Sequence, residues 1–327
     1  MIPKVSIILG CYNQRPWVKQ AMDSALSQTH SNIEIVATDN GSTDGTAELL
    51  KSYEADKRVK FIFRETNSFA TKLLNEAIAR TSGEFVTLLN GDDYFLPEKL
   101  ERQVEAFSRA SSDCGVVYGP TFRLNAVTGE QWVAPCLKES GYILKEMLLQ
   151  FQKGGAIDVI PPLVRRECFL RYPFFEDYFG GGEDVFFRIA MTYKFLYIDE
   201  PLCVMRDHLS NAGKAIKKNR DWAVPVYDRL GEFPEFPKEL QPTLNRFIAR
   251  FLRNYGWQGI RVIQDPGWAR ECYLMALGYD RAQLFHPRTV AGLVLSLLPE
   301  FLLKGINRVA DRMVAQKGNA VFKQDYS

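Results

Sequence analysis

The 327-residue chain has no long apolar run, no paired cysteines and no excess of either charge, and each absence removes a class of protein. Its most apolar stretch, Thr289 to Leu303, is broken by Pro299 and Glu300. It falls short of the roughly 18 to 20 apolar residues that a spanning helix needs. Six cysteines, Cys11, Cys114, Cys136, Cys168, Cys203 and Cys272, are scattered without a CxxC pair, so neither a zinc site nor a disulfide framework is indicated. A reducing compartment fits that usage. With a net charge of +2 and a pI near 8.1, the chain lacks the basic face of a nucleic-acid binder, and no nucleic-acid partner is expected. No GxGxxG follows the first apolar run and no GxxxxGK[ST] occurs, so hydride-transfer cofactors and P-loop chemistry have no support. The amino terminus shows neither an n-region nor an h-region, and a cytoplasmic setting is the expectation.

What is present is a series of short apolar runs separated by helical patterns. Lys4 to Gly10, Ile33 to Thr38, Val59 to Phe63 and Phe85 to Leu89 read as strands buried on both faces, since nothing in them alternates. Their centres recur about 26 residues apart, room for a crossover helix and a parallel strand each time. The intervening helices carry Trp17, Val18 and Met22, then Leu49 and Leu50, then Ala70 to Ala79. An α/β fold follows, with a doubly wound, mainly parallel sheet. Ser42 or Thr43 is the expected N-cap of the second helix, and Pro97 suits the first turn of the helix that carries Leu100, Val104 and Phe107.

Acidic residues gather where these strands end. Asp39 closes the second strand, and Asn90-Gly91-Asp92-Asp93 closes the fourth, so both clusters fall at the carboxyl edge of the sheet, where open α/β folds bind ligands. One carboxylate there can accept hydrogen bonds from a base or ribose, while another holds a hard cation against phosphate oxygens. An isolated Asn-Gly-Asp-Asp is more often a plain helix-capping turn; two acidic clusters at one edge make the ligand site the better reading.

Taken together, VSIILGCYNQ, SALSQTHSNIEIVATDNGSTDGT and TSGEFVTLLNGDDYFLP resemble the nucleotide-binding half of the inverting GT-A glycosyltransferases of family 2, over about the first 210 residues. The resemblance implies a nucleotide diphosphate donor, UDP-linked in the first instance, held by Asp39 with Asn13 close by. It also implies a DxD-type metal site whose carboxylate is Asp92, assisted by Asp93, for Mg²⁺ or Mn²⁺. The first position of that motif is Asn90 here, an amide that can bind a ribose hydroxyl but carries no charge. Asn75 matches the family's Asn before the metal site. Leu74 stands where an Arg often precedes it, and Lys72 could offer a charge to the diphosphate instead, a solvated helix face being its plainer reading. In GGGEDVFF, after the flexible Gly180, Gly181 and Gly182, Asp184 matches the base that takes the acceptor's proton. A helix N-terminus and a nearby cation would both lower its pKa, which is in tension with that role. The His208 and Arg206 of Met205-Arg206-Asp207-His208 match the family's last motif. They imply His208 at the metal or a phosphate and Arg206 paired with an acid.

Ser108 to Gly155 is loose: a strand at Gly115 to Tyr118, a hairpin turning at Thr128-Gly129, and a helix from Tyr142 to Phe151. Family members differ here because this region faces the acceptor, implied to be a glycan or lipid-linked saccharide. The catalytic domain is expected over 1–212 and a helical carboxyl-terminal extension over 213–327, beginning with a polar, Pro-bearing linker with a helix from Asn211 to Pro242. Leu302, Leu303, Ile306, Val309 and Met313 form, with Lys304, Arg308 and Arg312, a basic amphipathic helix. It suits a peripheral membrane contact or, equally, a homodimer or core-packing helix. Two other functions stay open: a sugar-phosphate nucleotidyltransferase, and a non-catalytic nucleotide-sugar binding or scaffold protein.

Overall fold

Four apolar runs become four parallel strands, with chain order and spatial order reversed at one point. The structure is a computed structural model that describes residues 2–150, 161–177, 182–211, 214–299 and 301–308. Its contacts divide the chain into two units, Met1–Lys214 and Ala215–Ser327.

The first unit begins with β1 (Val5–Cys11), α1 (Val18–Leu26), β2 (Ile33–Asn40), α2 (Thr46–Lys51), β3 (Val59–Arg64), α3 (Ala70–Ala79) and β4 (Phe85–Asn90). It continues with β5 (Tyr94–Phe95), α4 (Lys99–Ser108), β6 (Cys114–Tyr118), β7 (Phe122–Asn125), β8 (Gln131–Val133) and α5 (Leu144–Gln150). It closes with β9 (Leu163–Arg165), α6 (Arg166–Arg171), α7 (Asp184–Ile189), β10 (Lys194–Tyr197) and β11 (Cys203–Asp207). The large sheet runs β3, β2, β1, β4, β9, β6, β10. The chain builds β1, β2 and β3 outward in one direction and then returns to lay β4 on the other side of β1. That reversal opens a crevice at the carboxyl ends of β1 and β4, and Gly10 pairs with Asn90 across it. Only β9 runs against its neighbours among these strands, pairing antiparallel with both β4 and β6.

β1 and β2 are buried almost throughout, as their unbroken apolar runs require, with α1 covering one face through Val18, Ala21, Met22 and Ala25. Glu34 is the exception inside β2. Burial alone would raise its pKa. The Ser82 N–H at 2.5 Å, Lys60 at 3.0 Å, the Ser6 hydroxyl at 2.8 Å and Lys4 at 3.0 Å outweigh that and hold it well below the usual carboxylate range. One charge thus ties the entry ends of β1, β2, β3 and β4 together, opposite the ligand edge.

A second buried ion has no counter-charge. Lys99 is fully buried, its Nζ donating to Thr87 Oγ1 (2.9 Å) and Gln103 Oε1 (2.8 Å) and lying 4.3 Å from the Phe95 ring centre. Burial pulls its pKa down to about 7. The unfolded chain therefore holds one more proton between that value and the free lysine's, and stability rises with pH across the window and is lost as pH falls through about 7. Lys99→Met should abolish a rise of order 4 kcal/mol between about pH 7 and 10. The orphaned Gln103 carbonyl would cost about 1–3 kcal/mol at every pH. Urea unfolding of both proteins across that range measures the slope, and equal slopes would show that Lys99 keeps its proton.

Several boundaries differ from the sequence reading. α2 begins at Thr46 and is capped from Asp44, whose Oδ1 accepts the Thr46 N–H (3.0 Å) and hydroxyl (2.6 Å), so neither Ser42 nor Thr43 is the cap. α4 begins at Lys99, leaving Pro97 in the turn before it. The hairpin at Thr128-Gly129 is present as β7 and β8, and β5 and β11 join it in a second, four-stranded sheet. β5 and β11 pair antiparallel with Val204 opposite Tyr94, which carries Arg206 back to the β4 turn.

In the second unit α8 (Ile216–Leu230), α9 (Gln241–Gln258), α10 (Pro266–Tyr279) and α11 (Pro287–Leu295) precede a helix at 301–308. The helix expected within the segment Asn211 to Pro242 is α8, whose Val224, Tyr227 and Leu230 are buried. Ile260, Ala269, Tyr273 and Leu303 form a small core with Leu293 and Leu295 against it. The amphipathic helix expected at Leu302 to Met313 does not hold as one apolar face: Leu303 is buried, Leu302 and Ile306 are exposed, and Val309, Arg312 and Met313 lie outside the described residues. No helix among the described residues is long and apolar enough to cross a membrane.

Candidate active site

β2 ends in a carboxylate with one satisfied and one unsatisfied oxygen. Asp39 is buried, in register with Cys11 of β1, and its Oδ1 accepts the N–H groups of Gly41 (3.1 Å) and Ser42 (2.9 Å). Its Oδ2 is buried with no hydrogen-bond partner. Asn13 braces this turn rather than standing free: its Oδ1 accepts the Thr43 N–H (2.9 Å) and its own N–H donates to Ser42 Oγ (2.8 Å). It does so from a left-handed backbone (φ 52°), a conformation asparagine tolerates better than most residues.

The turn after β4 is built just as tightly. Gly91 donates its N–H to Gly10 O (2.9 Å), and a Cβ there would stand 2.5 Å from Gln14 Oε1 and 2.7 Å from Cys11 Sγ, so only glycine fits. Asp93 is buried with both oxygens engaged, Oδ1 by the Arg206 N–H (2.8 Å) and Oδ2 by Asn90 Nδ2 (3.0 Å). Burial and the neighbouring Asp92 push its pKa up to about 8, against those two donors. Asn90, expected to face a ribose, spends its amide nitrogen on Asp93 instead. Asp92 differs from its neighbour. Its Oδ2 lies 2.9 Å from His208 Nε2, and its Oδ1 is buried without a partner.

His208 is fixed from three sides: Asp92 at Nε2, Ser210 Oγ at Nδ1 (2.9 Å), and the Trp17 ring stacked at 4.3 Å. Among the described residues the Arg206 guanidinium pairs with no acid side chain. It donates to the Asp92 carbonyl and to Gln20 Oε1 and lies 5.1 Å from the Tyr94 ring centre, so it locks the turn's backbone. Between the acidic clusters lies the Cys11 thiol, whose pKa is raised well above the usual value by burial and then by Asp39, Asp92 and Asp44. It stays a thiol.

Asp184 opens α7. Its Oδ2 accepts from Arg188 Nε (3.1 Å) and Nη2 (2.7 Å), and Arg188 also donates to Pro173 O (2.6 Å) and lies 4.1 Å from the Phe175 ring centre. Burial raises the Asp184 pKa despite the Arg188 charge: desolvation outweighs that guanidinium. Asn75 holds the approach to this helix, its Oδ1 accepting the Phe174 N–H and its Nδ2 donating to Phe174 O, each at 2.9 Å. Asn75→Ala should leave both backbone groups without that partner, cost about 1–3 kcal/mol, and speed proteolysis near Phe174. Limited proteolysis with mass mapping checks this. Lys72 is exposed on α3 and, among the described residues, makes no hydrogen bond or ion pair with the cluster. Gly180 and Gly181 lie outside the described residues.

A divalent metal fits one place on this edge, at Asp92 Oδ1 beside His208. Among the described residues no group of three or more His, Cys, Asp or Glu could hold an ion unaided, so further ligands must come from the bound substrate or water. The sequence missed Trp17, Gln20 and the floor residue Cys11. Trp17 and Gln20 sit three apart on α1, a spacing indistinguishable from ordinary helix packing.

A doubly wound sheet with unsatisfied carboxylate oxygens at the carboxyl ends of β2 and β4 is an α/β fold with its candidate ligand site beside the switch point. Residues 6–167 match the family described as "Glycosyl transferase family 2", and the chain belongs to that family through this segment. TuaG of Bacillus subtilis (strain 168), named for teichuronic acid biosynthesis, is 38% identical over 104 residues, 32% of this chain and 41% of that protein. EpsE of the same strain, named as a glycosyltransferase, is 38% identical over 104 residues, covering 31% and 37%. The matched stretch thus spans less than half of these relatives. Among solved structures, S. aureus TarS 1-349 in complex with UDP-GlcNAc superposes with a TM-score of 0.65 at 16% identity, covering 97% of this chain and 92% of that one. The mannosyltransferase PcManGT from Pyrobaculum calidifontis, in complex with GDP-Man and Mn²⁺, gives 0.58 at 16% identity, covering 95% and 88%. At such identities these two show the fold.

Proposed function

We propose that this protein is a metal-dependent inverting glycosyltransferase that moves a sugar from a nucleotide diphosphate donor, UDP-linked in the first instance, to a hydroxyl of a glycan or lipid-linked saccharide in cell-surface polysaccharide synthesis. One observation carries the reading: Asp39 Oδ2 and Asp92 Oδ1 are buried, unpartnered carboxylate oxygens at the ends of strands that flank β1. A buried acceptor without a donor costs about 1–3 kcal/mol, a cost that ligand binding can recover. Asp39 would accept from the base or ribose, with Asn13 and Ser42 shaping its turn. Asp92, with His208, would hold Mg²⁺ or Mn²⁺. That ion would offset the charge on the departing nucleotide diphosphate. Asp93 and Asn90 would buttress the turn, and Gly91 would let it approach β1. Asp184 would take the proton of the attacking acceptor hydroxyl, its raised pKa making it a better base than an ordinary carboxylate.

Thermal unfolding with nucleoside diphosphates and nucleotide sugars, each with Mn²⁺, with Mg²⁺ and with EDTA, tests this. A ligand at about a hundred times its dissociation constant should stabilise the fold by about 2.7 kcal/mol. Stabilisation by one nucleotide sugar only when metal is present supports the reading. Binding without turnover would favour the scaffold alternative that Asn90 suggested, and uptake of a nucleoside triphosphate with a sugar phosphate would favour the nucleotidyltransferase.

A further inference from the structure

α11 carries aliphatic residues on two faces. It packs on the small core through Leu293 and Leu295 and buries Thr289 and Gly292, and the turn that follows buries Ser296, while Val290, Val294 and Leu297 are 48%, 59% and 72% exposed. Phe301, at the start of the helix at 301–308, is 72% exposed. The small residues are inward because the partners come close: a Cβ at Gly292 would stand 2.1 Å from Tyr273 Oη, and Arg270 Nε donates to Ser296 Oγ (3.3 Å). A helix that spends small residues at its closest contacts and still leaves a row of large aliphatics outward is suited to an outer solvent that is lipid.

The charge around this row has one sign. No carboxylate occurs between Asp280 and Glu300, and Arg281, Arg288, Lys304 and Arg308 are all exposed. Residues 215–327 carry 17 Lys and Arg against 11 Asp and Glu, whereas residues 1–214 carry 24 against 28. A second copy on the same face would bring two cationic rims together across a two-fold axis, a like-charge arrangement that disfavours pairing. An anionic surface has the complementary charge.

We infer that the helical unit docks on an anionic lipid bilayer, with Val290, Val294, Leu297 and Phe301 entering the headgroup boundary and the four flanking cations meeting lipid phosphates. The 13 residues from Pro287 to Pro299 reach only about 20 Å as a helix, too short to cross a hydrocarbon core of about 30 Å, so the segment lies in the interface. This inference stands apart from the transfer reaction, since vesicle binding needs neither donor nor metal.

Co-sedimentation of the full chain with phosphatidylcholine vesicles, with and without phosphatidylglycerol, tests it. The protein should sediment with the anionic vesicles and release as salt screens the rim. V294E/L297E, at two exposed positions, should keep the melting temperature and lower the partition coefficient at least about tenfold. R288E/R308E should abolish the preference for anionic lipid while keeping the fold. Equal partition of wild type and V294E/L297E overturns the inference. So does a wild-type dimer that this double variant splits without any vesicle binding, because a second copy then covers the face.

Discussion

Asp184→Asn should lower sugar transfer by about 10²–10⁴-fold, the usual contribution of a positioned general base, while donor binding stays within a few-fold. The amide keeps the volume and an acceptor oxygen for Arg188 but cannot take a proton. It also leaves the Arg188 charge buried without its counter-charge. Breaking such a pair costs about 3–5 kcal/mol, so rates must be compared well below the variant's melting temperature. The pH profile separates chemistry from damage. Because burial raises the Asp184 pKa, the acid limb of wild-type kcat/KM should lie above the range of ordinary carboxylates and vanish from the variant's residual rate. Transfer within tenfold of wild type, or an acid limb at an ordinary carboxylate value, would remove Asp184 from the base role.

The large sheet was legible because parallel strands buried on both faces leave continuous apolar runs, and β1, β2 and β4 do so; β3, read from sequence as buried on both faces, is the sheet's edge strand and is only partly buried, with Lys60 exposed. The edge on which Asp39 and Asp92 sit follows from the same runs, since both residues end strands. How the turn is held was not legible. Asp92 and Asp93 are adjacent in sequence, yet one keeps a bare oxygen and the other has none. The difference comes from β11, more than a hundred residues away, whose Arg206 N–H reaches Asp93 and whose following residue His208 reaches Asp92. Strand β5, only two residues long, makes that delivery and has no periodicity to read. The direction of the Asp184 shift was hidden for a similar reason. Sequence shows the helix start and the Arg four residues on, whereas burial is a property of the packed fold.

That split between neighbouring acids gives the sharpest test of the donor site. Asp92→Ala should abolish the metal-dependent part of nucleotide-sugar stabilisation, about 2.7 kcal/mol at a hundredfold excess over the dissociation constant, together with slow donor hydrolysis. Asp39→Ala should weaken the nucleotide equally with metal and with EDTA, because its bare oxygen faces a hydrogen-bond donor and not a cation. Asp93→Asn should behave differently from both. It keeps one acceptor for the Arg206 N–H, sets an amide N–H₂ where Asp93 Oδ2 accepts from Asn90 Nδ2, and should cost about 1–2 kcal/mol of stability. Metal dependence should survive in it. Isothermal titration with Mn²⁺ and the preferred donor reads all three variants. If Asp93→Asn lost the metal as completely as Asp92→Ala, the two oxygens now tied to Arg206 and Asn90 would have to be released on binding, and Asp93 would be a ligand. If Asp92→Ala kept it, the site beside His208 would be wrong, and metal-assisted departure of the nucleotide would lose its anchor in this chain.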